Sequence, residues 1–111
     1  MSDKELFDLL KTITIGSEPI DVFYDHYVPT PEKPTCPPSF ILYRNYETLT
    51  LKADDKVHYQ NNKYIVDLIL QVPNVNVEEQ LETLFNNNYL PYDKEEDYIA
   101  DERIYQIRYF I

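Results

Sequence analysis

The chain has 111 residues, 20 of them acidic and 10 basic, for a formal net charge of −10; 43% are hydrophobic, with eleven Tyr, five Phe and no Trp. That length accommodates one domain, residues 1–111, around a single modest core, and the charge opposes binding to phosphate backbones because Lys and Arg are scattered singly, without a basic patch. No window reaches the roughly 18–20 apolar residues of a membrane helix, the N-terminus lacks the basic, apolar, small-residue order of a signal peptide, and the lone Cys36 excludes an intrachain disulfide and a thiolate zinc site.

Ser2 and Glu5 have the spacing of a capping box, and Leu6, Leu9, Leu10 and Ile13 then fall on one helical face, which predicts an amphipathic helix from Asp3 to Thr14. Gly16, Ser17, Glu18 and Pro19 end it, and the run Ile20 to Tyr24 predicts a short strand. Five prolines between Pro29 and Pro38 forbid regular structure and predict a stiff, extended surface connector. Cys36 within it lacks the helix N-terminus or paired His that activates a thiol. Phe40 to Lys52 and Lys56 to Val72 read as the two long arms of a hairpin turning at Asp54 and Asp55. Asn61, Asn62 and Lys63 predict a bulge or bend in the second arm, or a connection widened across Ala53 to Asn62.

Pro73 ends that arm. Asn76 followed by Glu79 predicts the start of a second helix with the stripe Val77, Leu81, Leu84 and Phe85, stopping near Asn86, where three asparagines offer a left-handed terminator. Tyr89 to Tyr92 and Asp97 to Ile99 then predict a short strand broken by the charge run Asp93 to Asp97. In the final strand, from Arg103, Tyr105, Ile107, Tyr109 and Ile111 alternate with Gln106, Arg108 and Phe110, which makes the C-terminal residues part of the fold. The order α-β-β-β-α-β-β, with no internal repeat, predicts an α+β fold of one mainly antiparallel sheet with two helices packed on it.

Asp25, His26 and His58 are the one grouping with the residue types for a metal site or acid–base work, but their spacing matches neither a helical His pair nor a hydrolase motif. Strand-end histidines bonded to backbone or Tyr are the expectation adopted. Glu95, Glu96, Asp97, Asp101 and Glu102 lack the enabling glycine and regular offsets of a calcium loop and read as a solvated, self-repelling loop. Tyr43, Tyr46, Tyr59 and Tyr64 have as many acidic as basic neighbours, which favours core packing and interfaces over base stacking. With one glycine in the chain, a backbone cradle for phosphate is not built. No catalytic, metal-binding or cofactor-binding residue is assigned.

Taken in order, V-F-Y-D-H-Y (Val22 to Tyr27), F-I-L-Y (Phe40 to Tyr43) after the proline loop, A-D-D-K-V-H-Y (Ala53 to Tyr59) and Y-I-A-D-E-R-I-Y-Q-I-R-Y (Tyr98 to Tyr109) resemble the tail terminator and tail-completion proteins of the head–tail junction in tailed phages and prophages of Gram-positive bacteria. The resemblance spans nearly the whole chain as an ordered series of elements without a single diagnostic site. Ser39 departs from it, standing between the prolines and the aromatic strand, and leaves the strand's starting register open. The resemblance implies a non-enzymatic virion subunit, assembled in the host cytoplasm, that forms a ring, commonly hexameric, to cap the tail tube and meet the head connector. Its implied partners are further copies of the chain, the tail tube protein and head connector or completion proteins, with no specific nucleic acid, no membrane and no cofactor.

Ring subunits need extensions that reach their neighbours, so Lys52, Asp54, Asp55 and Lys56 at the hairpin tip are the candidate interface residues. The charge would sum to about −60 in a hexamer, letting DNA slide through a lumen without being gripped. The alternative is an acidic phage-encoded inhibitor or DNA mimic that occupies a basic host partner. Against it, Asp and Glu are spread from Asp3 to Glu102 with apolar residues between them.

Overall fold

The computed structural model describes the backbone of every residue except 1, 30, 32, 33, 54 and 55, and the side chains of those described residues that lie outside 47–62. The first helix, α1 (Asp3–Leu10), starts under the Ser2 hydroxyl, which accepts from the Glu5 N–H at 3.2 Å and so satisfies one of the amides a helix start leaves unpartnered. It ends at Leu10, a turn short of the expected Thr14. Thr12, Ile13, Thr14 and Ile15 are β-branched and lose side-chain freedom in a helix; Thr14–Ile15 (β1) instead pair antiparallel with Glu18–Pro19 (β2). Gly16 opens the turn between them at φ +63°, a conformation that a side chain would strain.

The other strands, β3 (Asp21–Tyr24), β4 (Phe40–Ala53), β5 (Lys56–Leu70), β6 (Asp93–Ile99) and β7 (Ile104–Phe110), form one sheet in the order β3-β4-β5-β7-β6. Neighbours are antiparallel except β3 and β4. A parallel pair needs a crossover of roughly a dozen residues or more, and the proline-rich connector between β3 and β4 is long enough to supply it. β4 begins at Phe40, opposite Ile69, and the Ser39 hydroxyl accepts from the Gln71 N–H at 3.5 Å. Ser39 therefore closes the end of the strand, whose register starts at Phe40.

The second helix, α2 (Val75–Asn87), is capped by Asn74 and not by Asn76: the Asn74 Oδ1 accepts from the Val77 N–H at 3.3 Å. Asn74, with extended backbone, directly follows Pro73, while Asn76 accepts from Gln80 Nε2 at 2.7 Å. The helix stops with Asn88 as its C-cap and the Leu90 N–H donating to the Phe85 carbonyl at 2.9 Å. The left-handed residue is not an asparagine: Tyr89 holds φ 56°, a conformation worth roughly 1–2 kcal/mol of strain for a residue with a β-carbon.

Two strand expectations are corrected. One bulge lies in the first arm, where Asn45 pairs with Tyr64 and Glu47 with Lys63, leaving Tyr46 as the extra residue; β5 runs unbroken through residues 61–63, and the irregularity of the second arm falls at His58, between Tyr59 opposite Leu51 and Val57 opposite Lys52. The charge run is itself the strand: β6 pairs with β7 from Asp93 opposite Phe110 to Ile99 opposite Ile104, while residues 89–92 lead into it. β7 pairs with β5 on one side and with β6 on the other, and the position of β6 at the sheet edge leaves its carboxylates in water, where charge also guards against edge-to-edge aggregation.

Both helices pack on one face of the sheet. Leu6 and Leu10 of α1, Ile13, Ile20, and Val77, Leu81 and Phe85 of α2 meet Val22, Ile41, Tyr43, Tyr64, Val66, Leu68, Leu70, Ile107 and Tyr109. The period-two pattern predicted for the last strand holds, with Ile107 and Tyr109 buried and Tyr105 and Ile111 packed at the margin. On the opposite face Ile65, Asp67 and Ile69 are buried at the centre, shielded by neighbouring strands, since the helical core cluster includes none of them. The fold is thus α+β, a five-stranded mixed sheet under one helical layer.

Candidate functional site

Strand pairing leaves one extension. β3 pairs with β4 only at residues 40–43 and β7 with β5 only at 65–70, so residues 47–53 and 56–63 pair among the described residues with each other alone. They form a two-stranded ribbon, roughly 20 Å long at 3.3 Å per residue, in a molecule measuring 51 × 31 × 28 Å. Lys52 pairs with Val57 and Ala53 with Lys56 near its tip. Asp54 and Asp55 lie outside the described residues, as do the side chains of Lys52 and Lys56.

Where the ribbon leaves the sheet there is a groove of about 510 Å³ walled by Tyr46, Tyr64, Tyr89, Tyr92, Phe110 and Pro91. The Tyr46 bulge aims its ring edge-on at Phe110, with centroids 6.3 Å apart. Tyr64 forms the floor, 1% exposed, its hydroxyl donating to Asp3 Oδ1 at 2.8 Å. Tyr89, by contrast, is 92% exposed. Lys63 and Asp93 stand at the rim, and neither takes part in an ion pair among the described residues.

A charged cluster ties β6 to α2. Lys94 Nζ lies 3.1 Å from Glu78, 3.4 Å from Glu82 and 3.2 Å from Glu96, and Glu82 also accepts from the hydroxyls of Tyr92 at 2.9 Å and Tyr109 at 3.2 Å. Burial draws the Lys94 pKa down, but hydrogen bonds to Glu78 and Glu96 outweigh it and hold the ammonium above its ordinary value. Burial, then the charge of Glu82, pushes the Tyr109 phenol up. A group with a raised folded pKa contributes stability that is complete below its unfolded pKa, near 10 for both types, and lost as pH rises toward the folded value. Stability is therefore expected to hold to about pH 10 and then fall as the pH rises further. Urea denaturation across that range measures it; Tyr109→Phe should reduce the slope, and an unchanged slope would place the loss in other groups.

The grouping Asp25, His26 and His58 is not assembled. His26 Nδ1 lies 3.3 Å from Asp25 Oδ2 on the surface, just past β3, whose last residue pairs with Tyr43. His58 lies near the ribbon tip, opposite the Leu51–Lys52 irregularity, about 25 Å along the strand at 3.3 Å per residue. Among the described residues no three His, Cys, Asp or Glu converge on a metal position. Of the tyrosines weighed for stacking, Tyr43 and Tyr64 are core residues and Tyr46 belongs to the groove; the Tyr59 side chain lies outside the described ones.

Two features escaped the sequence reading. The Lys94 cluster combines Glu78 and Glu82, four apart on a helix, with Lys94 and Glu96, two apart on a strand, and is legible only once residues 93–97 are taken as a strand. The other is the ion pair of Asp67 and Arg108 on the open sheet face, where Nε and Nη2 of Arg108 donate to the two carboxylate oxygens at 2.8 and 3.3 Å. No family model, curated protein or solved structure matches this chain.

Proposed function

We propose that the chain is a ring-forming structural subunit of a phage head–tail junction, a tail terminator or tail-completion protein that caps the tail tube and meets the head connector without performing catalysis. The observation that carries this is the ribbon of residues 47–53 and 56–63, which among the described residues pairs only with itself. A lone two-stranded hairpin is marginal in water, so a ribbon retained at this length gains its stability from a surface outside its own subunit. A cyclic ring supplies one, because each copy must present two different patches that match. The acidic edge strand β6 fits a subunit that lets DNA pass.

Light scattering on the purified protein, alone and then mixed with phage tail tubes, tests this. Rings in solution, or protein captured at tube ends, are expected. A strict monomer that ignores tubes would overturn the proposal, and one that instead captures a basic host protein would favour the acidic inhibitor.

A further inference from the structure

We infer that the aromatic groove at the root of the ribbon receives the proline-rich crossover, residues 29–38, of a second copy of this chain. The inference deepens the ring proposal by naming the two patches that meet. The groove presents Tyr46, Tyr89, Tyr92 and Phe110 beside Pro91. Grooves walled by aromatic rings take proline-rich segments because the chain is already extended and stiff, so little entropy is lost on docking. The chain carries such a segment itself, with Pro31, Pro34 and Pro38 exposed. Its prolines at 31, 34 and 37 recur every third residue, the period of a polyproline helix.

Charge agrees with this occupant. Glu32 and Lys33 sit side by side within the segment, and the groove rim bears one residue of each sign, Lys63 and Asp93. Topology makes the docking intermolecular. The crossover joins β3 to β4 at one edge of the sheet, the groove opens beside β5, β7 and the start of β6, and no groove-lining residue among those described comes from 25–39. Two different patches on one subunit are what a head-to-tail ring requires.

Tyr89 points to the same conclusion. It occupies the left-handed position after α2, where glycine or asparagine is favoured, and its ring is 92% exposed. A strained backbone carrying an exposed aromatic is poorly explained by the monomer's own packing, whereas strain of this kind collects at ligand clamps.

The test is fluorescence anisotropy of a labelled synthetic peptide covering residues 28–39, with Cys36→Ser, titrated with the full chain. Saturable binding is expected, weakened at least tenfold by Tyr89→Gly and by Tyr46→Ala. Tyr89→Gly should at the same time raise the melting temperature by a few degrees, because glycine relieves the left-handed strain; lost binding then cannot be assigned to unfolding. Absence of saturable binding to the unaltered chain, or binding that both substitutions leave unchanged, would overturn the inference. Protein that caps tail tubes yet does not bind the peptide would overturn the groove alone, whereas peptide binding without tube capture would uphold the groove and overturn the junction role.

Discussion

Arg108→Ala is expected to destabilise the fold by about 3 kcal/mol, the lower end of the range for breaking a buried ion pair. Asp67 lies on β5, the central strand, with only 8% of its surface exposed. Arg108 faces it from β7 in direct register and holds both carboxylate oxygens. The pair is unequal: the Asp67 side chain is 11% exposed and that of Arg108 is 34% exposed. Removing the arginine thus strands a carboxylate among Ile65, Ile69 and the neighbouring strands, without its hydrogen-bond partner and with little access to water.

The double variant Asp67→Leu/Arg108→Met should recover most of that loss, since an apolar pair of similar size leaves no charge to desolvate. Urea denaturation of the three proteins measures both effects. If Arg108→Ala lost less than about 1 kcal/mol, the pair would have to be as well solvated as an ordinary surface bridge.

The second large effect is on assembly. Replacing residues 49–61 by Asn-Gly joins Thr48 to Asn62, which are already cross-strand partners, through a two-residue turn suited to a hairpin. The core should tolerate it, with a change in unfolding free energy under about 1 kcal/mol, because among the described residues the ribbon pairs only with itself and a lone two-stranded hairpin adds little stability. Ring formation and capture at tail tubes should be abolished. A thermal melt and light scattering on one preparation separate the outcomes: a folded monomer is expected, whereas an unfolded chain would mean that the ribbon serves the core. Charge reversal by Lys52→Glu with Lys56→Glu is the milder version, weakening assembly while leaving the monomer's melting unchanged.

Much of the fold was legible because the core is periodic. Leu6 and Leu10 recur with the helical period, as do Val77, Leu81 and Phe85, while Ile107 and Tyr109 alternate, so burying those residues leaves few choices of element. Legibility failed where propensity and context disagree. Residues 93–97 look like a loop because nearly every side chain is charged, yet they are a strand because they pair along the whole length of β7 and Lys94 finds three carboxylates there. Thr12 to Thr14 continue a helical stripe, but β-branching and the turn at Gly16 draw Thr14 into a strand.

What the amino-acid order determined by itself is the two helices, the final strand, the α+β class and the hairpin with its long arms, because these follow from local periodicity and from the placement of prolines, asparagines and the single glycine. Tertiary structure alone decided which surfaces exist. Sheet order exposes the ribbon beyond its neighbours, separates His58 from Asp25 and His26, brings Asp67 against Arg108, and gathers Tyr46, Tyr89 and Phe110 around one groove. Each of these depends on contacts between residues far apart in the chain, and long-range strand pairing is set by how whole faces bury against one another, which no local pattern encodes.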